Sequence, residues 1–568
     1  MSDPHPHPRS FTALAMPIVA AGLVLVAGAW MLPANLKSLS PALLQAAGED
    51  TQSLGAYGRD LVDAERIGAA SLVLAAAKAT DDPRAPALEH ALAQVAEEQP
   101  GLVAWGGWDP FLDPLFQLRT DPGRDGSTPV LTFFIPEEAR QKLRRHLADS
   151  GALGVRAILR LRELTNTGRF VPASRPGGQP LDALLLLTGL AYQGGHLSPS
   201  LQRELRGLAE KALAKQDLGD LAPFFIDLLS LGRRLDWGQL TELLRRADST
   251  KTVGQFAHLA RVAPDQLPVI YASALFSDSA DRVATYLIGF GRAGLEDLQL
   301  ALAHGQGAVS QLLHRQVPVN RAAQPVLSFG ASLSLQHPQL MLGLKYLGCF
   351  LGLWLVLRGL NRGLTPPGTT VLPGGLMRMK AGVLAFLLAV LLVAVSEPFL
   401  LRAAPPSEYQ LRLPVLVAVA NSPVPPTTEP VSTMDSTTLI SIGFFAALQV
   451  AVYFICLLKI REVAAQKLSP LVKLRLMENE ENLFDCGLYV GIGGTAAALV
   501  LQVLGVIEPN LLAAYSSNLF GITCVALVKI RHVRPYKYRL ILEGQVEASP
   551  IREPGEPSVS PARGSSAL

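Results

Sequence analysis

The sequence predicts an all-α membrane protein: six transmembrane helices, with a large external, mainly α-helical domain inserted between the first and second spans. Three observations predict it. Apolar residues make up 49% of the 568 residues and charged residues only 17%, against about 25% in an ordinary soluble protein. Mean hydropathy is +0.29. The most apolar residues gather in stretches near the roughly 20 residues that a bilayer core requires. The long region between the first two stretches instead shows helical periodicity broken by turn residues.

Residues 1–10 are polar, carry two His-Pro pairs and read as a disordered tail. Phe11–Leu32 is uncharged and long enough to span. Ala27-Gly28-Ala29 resembles a signal-peptidase box, but the apolar run continues past it, so an uncleaved signal anchor is favoured over a cleaved leader. Either way the following domain, 33–339, lies outside the cytoplasm.

Within that domain Leu54–Ala79 and Ala85–Glu98 read as helices. Gly101–Thr128 reads as loop, with Trp105 and Trp108 packed beneath it. Val130–Phe134 has β-like composition, and Pro136-Glu137-Glu138 opens another helix. From 181 to 317 apolar helices alternate with short turns: Pro199–Lys215, Leu218–Leu231, Trp237–Ala247, Thr252–Val262, Gln266–Phe276, Ser279–Phe290, Leu295–His304 and Ala308–Gln316. Stacked short helices without a repeat consensus suggest a solenoid of HEAT or TPR type, with a compact helical domain as the alternative. Arg144-Arg145 and Arg245-Arg246 read as solvated faces.

The second and third spans are Leu340–Leu357 and Ala381–Leu401. Glu397, near the outer end of the third, is a candidate intramembrane acid. Residues 403–436 form a proline-rich external loop, in which Tyr409–Ala420 alternates roughly like a strand and is a candidate to pair with Val130–Phe134. Leu439–Leu458 is the fourth span and 459–485 an amphipathic cytoplasmic helix. Gly487–Ile507 and Leu511–Val528, the fifth and sixth spans, make a hairpin across Glu508-Pro509-Asn510. Residues 529–568 are a basic segment followed by a disordered tail.

Charge sets the orientation. Arg358, Arg362, Arg378 and Lys380 follow span two, Lys459, Arg461, Lys467, Lys473 and Arg475 follow span four, and Lys529, Arg531, Arg534, Lys537 and Arg539 follow span six. The loops after spans three and five hold Glu408, Glu429, Asp435 and Glu508, against two basic residues, Arg402 and Arg412. The positive-inside rule then puts both termini in the cytoplasm and 33–339 outside, in the periplasm if the membrane is a bacterial inner membrane.

Several function classes are excluded. A formal net charge of +3, without interleaved basic and aromatic residues, gives no nucleic-acid partner. The four cysteines, Cys349, Cys456, Cys486 and Cys524, lie in or beside apolar stretches with no CxxC pair, so no metal site and no disulfide scaffold is expected. His146, His196, His258, His304 and His314 are scattered, with no HExxH and no GxSxG, so neither an enzyme nor a cofactor is expected. His304 and His314 could meet across a turn, but the default reading is surface or helix-end histidines.

The last hairpin is polar for a membrane anchor. Gly487, Gly491, Thr495, Ala498, Gln502 and Gly505 share one helical face, and Ala514, Ser517, Asn518, Gly521 and Cys524 share another. Such faces allow close packing, a polar path, or both; packing alone is the plain alternative. Here the chain resembles the MotA/TolQ/ExbB proton-channel family. Gly491-Ile492-Gly493-Gly494-Thr495 is similar to that family's GLLGT run, and Ala514–Ile522 is similar to its ALxxTxxGL run. Asn518 stands where the family has its second threonine, Gly493 where it has a leucine, and the cytoplasmic segment is shorter. The resemblance covers 438–540 at most.

It implies a stator- or channel-type subunit, homo-oligomeric in the bilayer, around a single-span partner that carries an aspartate. Gly491, Gly494, Thr495, Gln502, Ser517, Asn518 and Gly521 would line the path or pack the helices. The domain 33–339 would dock to a periplasmic protein. The alternative is a membrane-anchored scaffold whose helical array binds a protein and whose spans only tether it.

Overall fold

A computed structural model describes residues 9–120, 126–321, 329–364, 374–397, 436–503 and 511–548. They are helical, without a strand; the only strand-like pairings among them are two isolated parallel bridges, Leu39 with Val319 and Asn166 with Asp217. The all-α class therefore stands. Tyr409–Ala420 and Glu508-Pro509-Asn510 lie outside the described residues. The chain divides into two units, one built on Met31–Lys345, the other gathering Met1–Trp30, Tyr346–Leu401 and Thr433–Leu568.

In the first unit, helices end where local chemistry ends them. Ser198 caps Pro199–Lys215 by accepting from the Leu201 amide at 3.1 Å, and Pro199 fits the first turn, so this helix falls on its predicted bounds. Ala85–Glu98 does so too. Leu54–Ala79 is instead two helices, Leu54–Asp63 and Ile67–Ala79. Glu65 between them has φ 55°, which aims its carbonyl at the Trp108 amide (3.1 Å) and frees Arg66 to reach Glu242 (3.1 Å). Ser279–Phe290 and Leu295–His304 join in one run, Ala280–His304, kinked at Gly291 (φ 56°, ψ −135°).

Two expectations are corrected. Val130–Phe134 is a helical turn, not a strand. Its period is that of a buried helix face: Val130, Leu131 and Phe134 are all buried, and Phe133 stacks on Trp105 with centroids 3.9 Å apart. Gly101–Thr128 is not all loop, because Pro100–Trp105 and Asp113–Phe116 are helical. Trp105 is buried as expected, but Trp108 is 41% exposed, with the Arg119 guanidinium 5.5 Å over its ring.

Between Gln179 and Arg315 all helices except Pro199–Lys215, which packs chiefly on Leu153–Arg160, form two rows. Gln179–Gln193, Leu221–Gly232, Thr250–Val262 and Ala280–His304 stack in one; Trp237–Arg245, Leu267–Ser277 and Gln306–Arg315 stack in the other. A solenoid would touch only sequence neighbours. Here Ile67–Ala79 packs on the second row at Trp237–Arg245 and Leu267–Ser277, and Pro41–Gly48 packs on Gln306–Arg315. One continuous core results, from Leu39 to Val319. The array is thus the later half of a compact helical unit.

Buried carboxylates tie the halves together. Asp182 accepts from Arg140 (2.7 Å), Arg162 (2.6 Å) and Arg144. Glu242 accepts from Arg66, Arg245 (3.1 Å) and Arg246 (2.6 Å). Arg144, Arg245 and Arg246 are therefore network members, not solvated faces; Arg145 is exposed. Asp109 contacts His196 Nε2 (2.7 Å) and accepts from Trp237 Nε1 (3.0 Å). Burial pushes the Asp109 and Asp182 carboxyls up, but these donors outweigh it and hold both below the usual carboxylate value.

Asp236 differs. It caps Trp237–Arg245 in a capping box with Gln239 (2.7 Å to the Gln239 amide), and Ser127 Oγ donates to it at 2.6 Å. Among the described residues no cation faces it, and Gly68 and Gly106 close over it: a Cβ on either would lie within 2.3 Å of Asp236 Oδ1. Burial raises its carboxyl to about 7, and the hydrogen bonds only partly offset this. Unfolded, it titrates near 3.8. A folded pKa above the unfolded one gives stability that is full below about pH 4 and is lost as the pH rises through about 7. Asp236→Asn keeps a cap acceptor without that proton. Thermal unfolding of this variant, followed by circular dichroism, is expected to lose the part of the decline between pH 4 and 7 that the native chain shows. An unchanged slope would count against a buried neutral Asp236.

The second unit is joined by small residues. Arg9–Trp30 crosses Pro338–Leu364 where Gly22 meets Gly352: a Cβ on Gly22 would sit 2.7 Å from the Gly352 carbonyl oxygen. Gly348 and Gly359 continue that seam against Ala29 and Val19. Gly374–Ser396 packs on Ser436–Ala465, and Ser436–Ala465 packs on both Cys486–Val503 and Leu511–Val528. Pro470–Asn479 packs on Arg534–Ala548, so the basic segment after the last apolar helix is helical to Ala548. Among the described residues one stretch, Pro338–Arg362, is long and apolar enough to cross a membrane; Ala15–Trp30, Ala381–Val393 and Cys486–Ala496 are shorter apolar helices.

Candidate functional site: the glycine-lined hairpin

The hairpin packs through the absence of side chains. Gly491 and Gly521 face each other so closely that a Cβ on Gly491 would lie 3.0 Å from the Ser517 carbonyl oxygen, and one on Gly521 would lie 2.5 Å from that of Gly487. A Cβ on Gly494 would lie 2.5 Å from Ser517 Oγ and 3.1 Å from the Phe445 ring. Of the predicted set, Gly491, Gly494, Ser517, Asn518 and Gly521 therefore come together, as do Gly487 and Cys524, whose sulfur would lie 3.2 Å from a Gly487 Cβ. Gly493 has nothing within 4 Å of its Cβ position and points away from the contact. The side chain of Gln502 lies outside the described residues.

The hydroxyls serve the helices first. Thr495 Oγ1 donates to the Gly491 carbonyl at 2.9 Å, a back-bond to the preceding turn. Ser517, fully buried, donates to the same carbonyl from the facing helix at 3.4 Å.

A third helix completes the site, and sequence reading missed its contribution. Gln449, on Ser436–Ala465, is 4% exposed and donates from Nε2 to the Gly487 carbonyl at 3.1 Å. That carbonyl is reachable because Gly521 lacks a side chain: its Cβ position is 3.3 Å from Gln449 Nε2. The available signal was that Gln449 is the one amide in Leu439–Leu458. Two oxygens here, Gln449 Oε1 and Asn518 Oδ1, have no hydrogen-bond donor among the described residues, and both are shielded from solvent. A buried acceptor without a donor costs about 1–3 kcal/mol. The site is therefore short of donors.

Below the glycines, Cys456 and Cys524 point into the three-helix core with Val452, Phe484 and Val528. The end of the bundle carries charge pairs: Lys529 to Asp485 at 2.7 Å and Lys459 to Glu480 at 3.1 Å. Tyr453 Oη lies 2.8 Å from His532 Nε2, which sits in a π-helical turn, Lys529–Val533.

The other predicted acid, Glu397, lies elsewhere in this unit. It is fully buried and accepts a hydrogen bond from the Tyr346 hydroxyl. In the first unit, His304 is half-buried and His314 exposed, with no bond between them. Among the described residues no group of three or more His, Cys, Asp or Glu side chains is placed to hold a metal ion.

Compared with the known protein families, with curated proteins and with solved structures, the chain matches none.

The glycine contacts give a contrast within one sequence motif. Gly521→Ala is expected to cost about 1–3 kcal/mol through overpacking, while Gly493→Ala, two residues from Gly491, is expected to be neutral or slightly stabilising. Thermal inactivation of the two variants in detergent measures this; equal melting points would show that the helices do not touch at Gly521.

Proposed function

We propose that the chain is a multi-pass inner-membrane subunit of the stator or proton-channel type, homo-oligomeric around a single-span partner. In this reading six helices cross the bilayer, both termini are cytoplasmic, and 33–339 is a periplasmic domain that docks to an envelope protein. The observation that carries the reading is the donor deficit at the hairpin. Gln449 Oε1 and Asn518 Oδ1 are acceptors in an apolar setting that find no donor among the described residues. A protonated carboxyl on a partner helix supplies the donor they lack, and releasing its proton is then coupled to leaving them. The resemblance of Gly491–Thr495 and Ala514–Ile522 to the MotA/TolQ/ExbB runs supports the same assignment, with Asn518 in the family's threonine position.

A membrane-anchored scaffold is favoured by a different observation, the closed core of the first unit, which makes a rigid platform for docking. Deleting 181–317 does not separate the two readings, because it would strip the helices that cover Ile67–Ala79. Point substitutions in the hairpin do.

Thr495→Val, Asn518→Leu and Gln449→Leu are expected to insert and express normally but to lose co-purification of a single-span protein with an intramembrane aspartate. Proton flux of the reconstituted complex should fall at least about tenfold with each. Full flux and an intact complex in all three would leave only the scaffold standing.

A further inference from the structure

Beyond its apolar part the second unit continues as two charged helices, Pro470–Asn479 and Arg534–Ala548, packed on each other. They run antiparallel. The Asn479 end leads towards Cys486–Val503, the Arg534 end leaves Leu511–Val528, and the Lys529–Asp485 pair at 2.7 Å holds those two ends together. At the opposite end Leu471 lies against Gly544, whose Cβ position is 3.5 Å from Leu471 Cδ2. Leu471 and Gly544 thus mark one level of the pair. From there each residue onward in the first helix is level with one residue back in the second.

Each helix carries an exposed stripe. Leu471, Arg475 and Glu478 share one face of the first, with Leu471 59% exposed. Arg534, Tyr538 and Leu542 share one face of the second, with Ile541 beside Leu542 and Tyr538 66% exposed. Among the described residues Arg475, Glu478 and Arg534 have no ion-pair partner, whereas Lys459, Lys529 and Arg539 beside them are all paired.

The two stripes complement each other in order. From the Leu471 end towards the Asn479 end the first presents an apolar, a cationic and an anionic side chain. Over the same levels the second presents Leu542 with Ile541, then the Tyr538 ring, then the Arg534 guanidinium. Leu471 comes opposite Leu542, Arg475 opposite Tyr538, and Glu478 opposite Arg534, each offset by about 3–5 Å along the axis, which side chains of this length span. An apolar contact, a cation–π contact and an ion pair follow one another. Every copy of the chain carries both stripes, on different helices, so what fits one stripe is the other stripe of a second copy.

We propose that the Leu471–Arg475–Glu478 stripe of one copy docks on the Arg534–Tyr538–Leu542 stripe of the next, a head-to-tail contact of the kind that closes into a ring. This rests on the homo-oligomer of the reading above and names the contact that holds it together outside the bilayer. The apolar ends supply affinity, and the charges fix the register, since a slide of one turn sets Arg475 against Arg534.

The test uses the full chain in membranes. Chains carrying Glu478→Cys and differently tagged chains carrying Arg534→Cys are co-expressed and oxidised with copper phenanthroline. A disulfide-linked pair with one chain of each kind is expected. Native mass spectrometry in detergent then reads the oligomer. Glu478→Arg and Arg534→Glu are each expected to lower the ratio of oligomer to monomer at least about tenfold, and both reversals in one chain to restore it. Loss through misfolding would not be restored by a second reversal. Linking of Glu478→Cys chains to each other instead overturns the head-to-tail order. An oligomer indifferent to both single reversals, or not recovered by the double one, overturns this contact and leaves the homo-oligomer standing. A native chain that stays monomeric overturns the homo-oligomer as well.

Discussion

A carboxylate taken out of water has to be met by donors, and the first unit is arranged around that requirement. Asp109 and Asp182 take their donors from other helices, His196 and Trp237 for the first and three arginines for the second, while Glu242 joins the distant Arg66 to Arg245 and Arg246 one turn along its own helix. Asp297 does the same at the far end, accepting from Tyr286 and the Val319 amide at 3.0 Å each. Apolar burial alone would let neighbouring leucine-rich helices slide. These contacts hold one register, because a shift of a turn would strand a charge. Asp236 solves the problem differently, with amides and a hydroxyl instead of a cation, and accordingly stands near neutrality.

The hairpin inverts this pattern. Its helices approach at Gly491 and Gly521 until backbone meets backbone, and the polar groups nearby are left partly unmet. In the domain, polar completeness gives rigidity. In the hairpin, Gln449 Oε1 and Asn518 Oδ1 find no donor among the described residues. That contrast within one chain is what the proposal of a docking domain and a channel hairpin rests on.

Much of this was legible in the sequence where the cause is local. Pro199–Lys215 is bounded by a serine cap and a proline in the first turn, both visible in the sequence. The hairpin face of Gly491, Gly494, Ser517, Asn518 and Gly521 was legible because helical spacing alone puts these residues together. What was not legible depends on contacts from afar. Val130–Phe134 has β-branched and aromatic residues, yet burial of Phe134 and stacking of Phe133 on Trp105 turn it into a helix. Arg245 and Arg246 look like surface charge until Glu242, one turn earlier, proves to be buried. Gln449 is separated from Gly487 by a whole connecting segment, so nothing near it announces the bond. Closure of the helical array by Pro41–Gly48 and Ile67–Ala79 is likewise invisible in any window of sequence.

That closure bears on how the domain is made. Pro41–Gly48 leaves the ribosome among the first elements, but Gln306–Arg315, against which it packs, is among the last. At about 5–20 residues per second, the intervening 260 or so residues take roughly 13–50 s to synthesise. Throughout that interval Leu43 and Leu44, fully enclosed in the finished core, have no native cover. Until the chain has passed Arg315, these side chains lack the partner helix that encloses them in the finished core. Vectorial synthesis thus delivers this domain as an open ribbon that closes once, at its end.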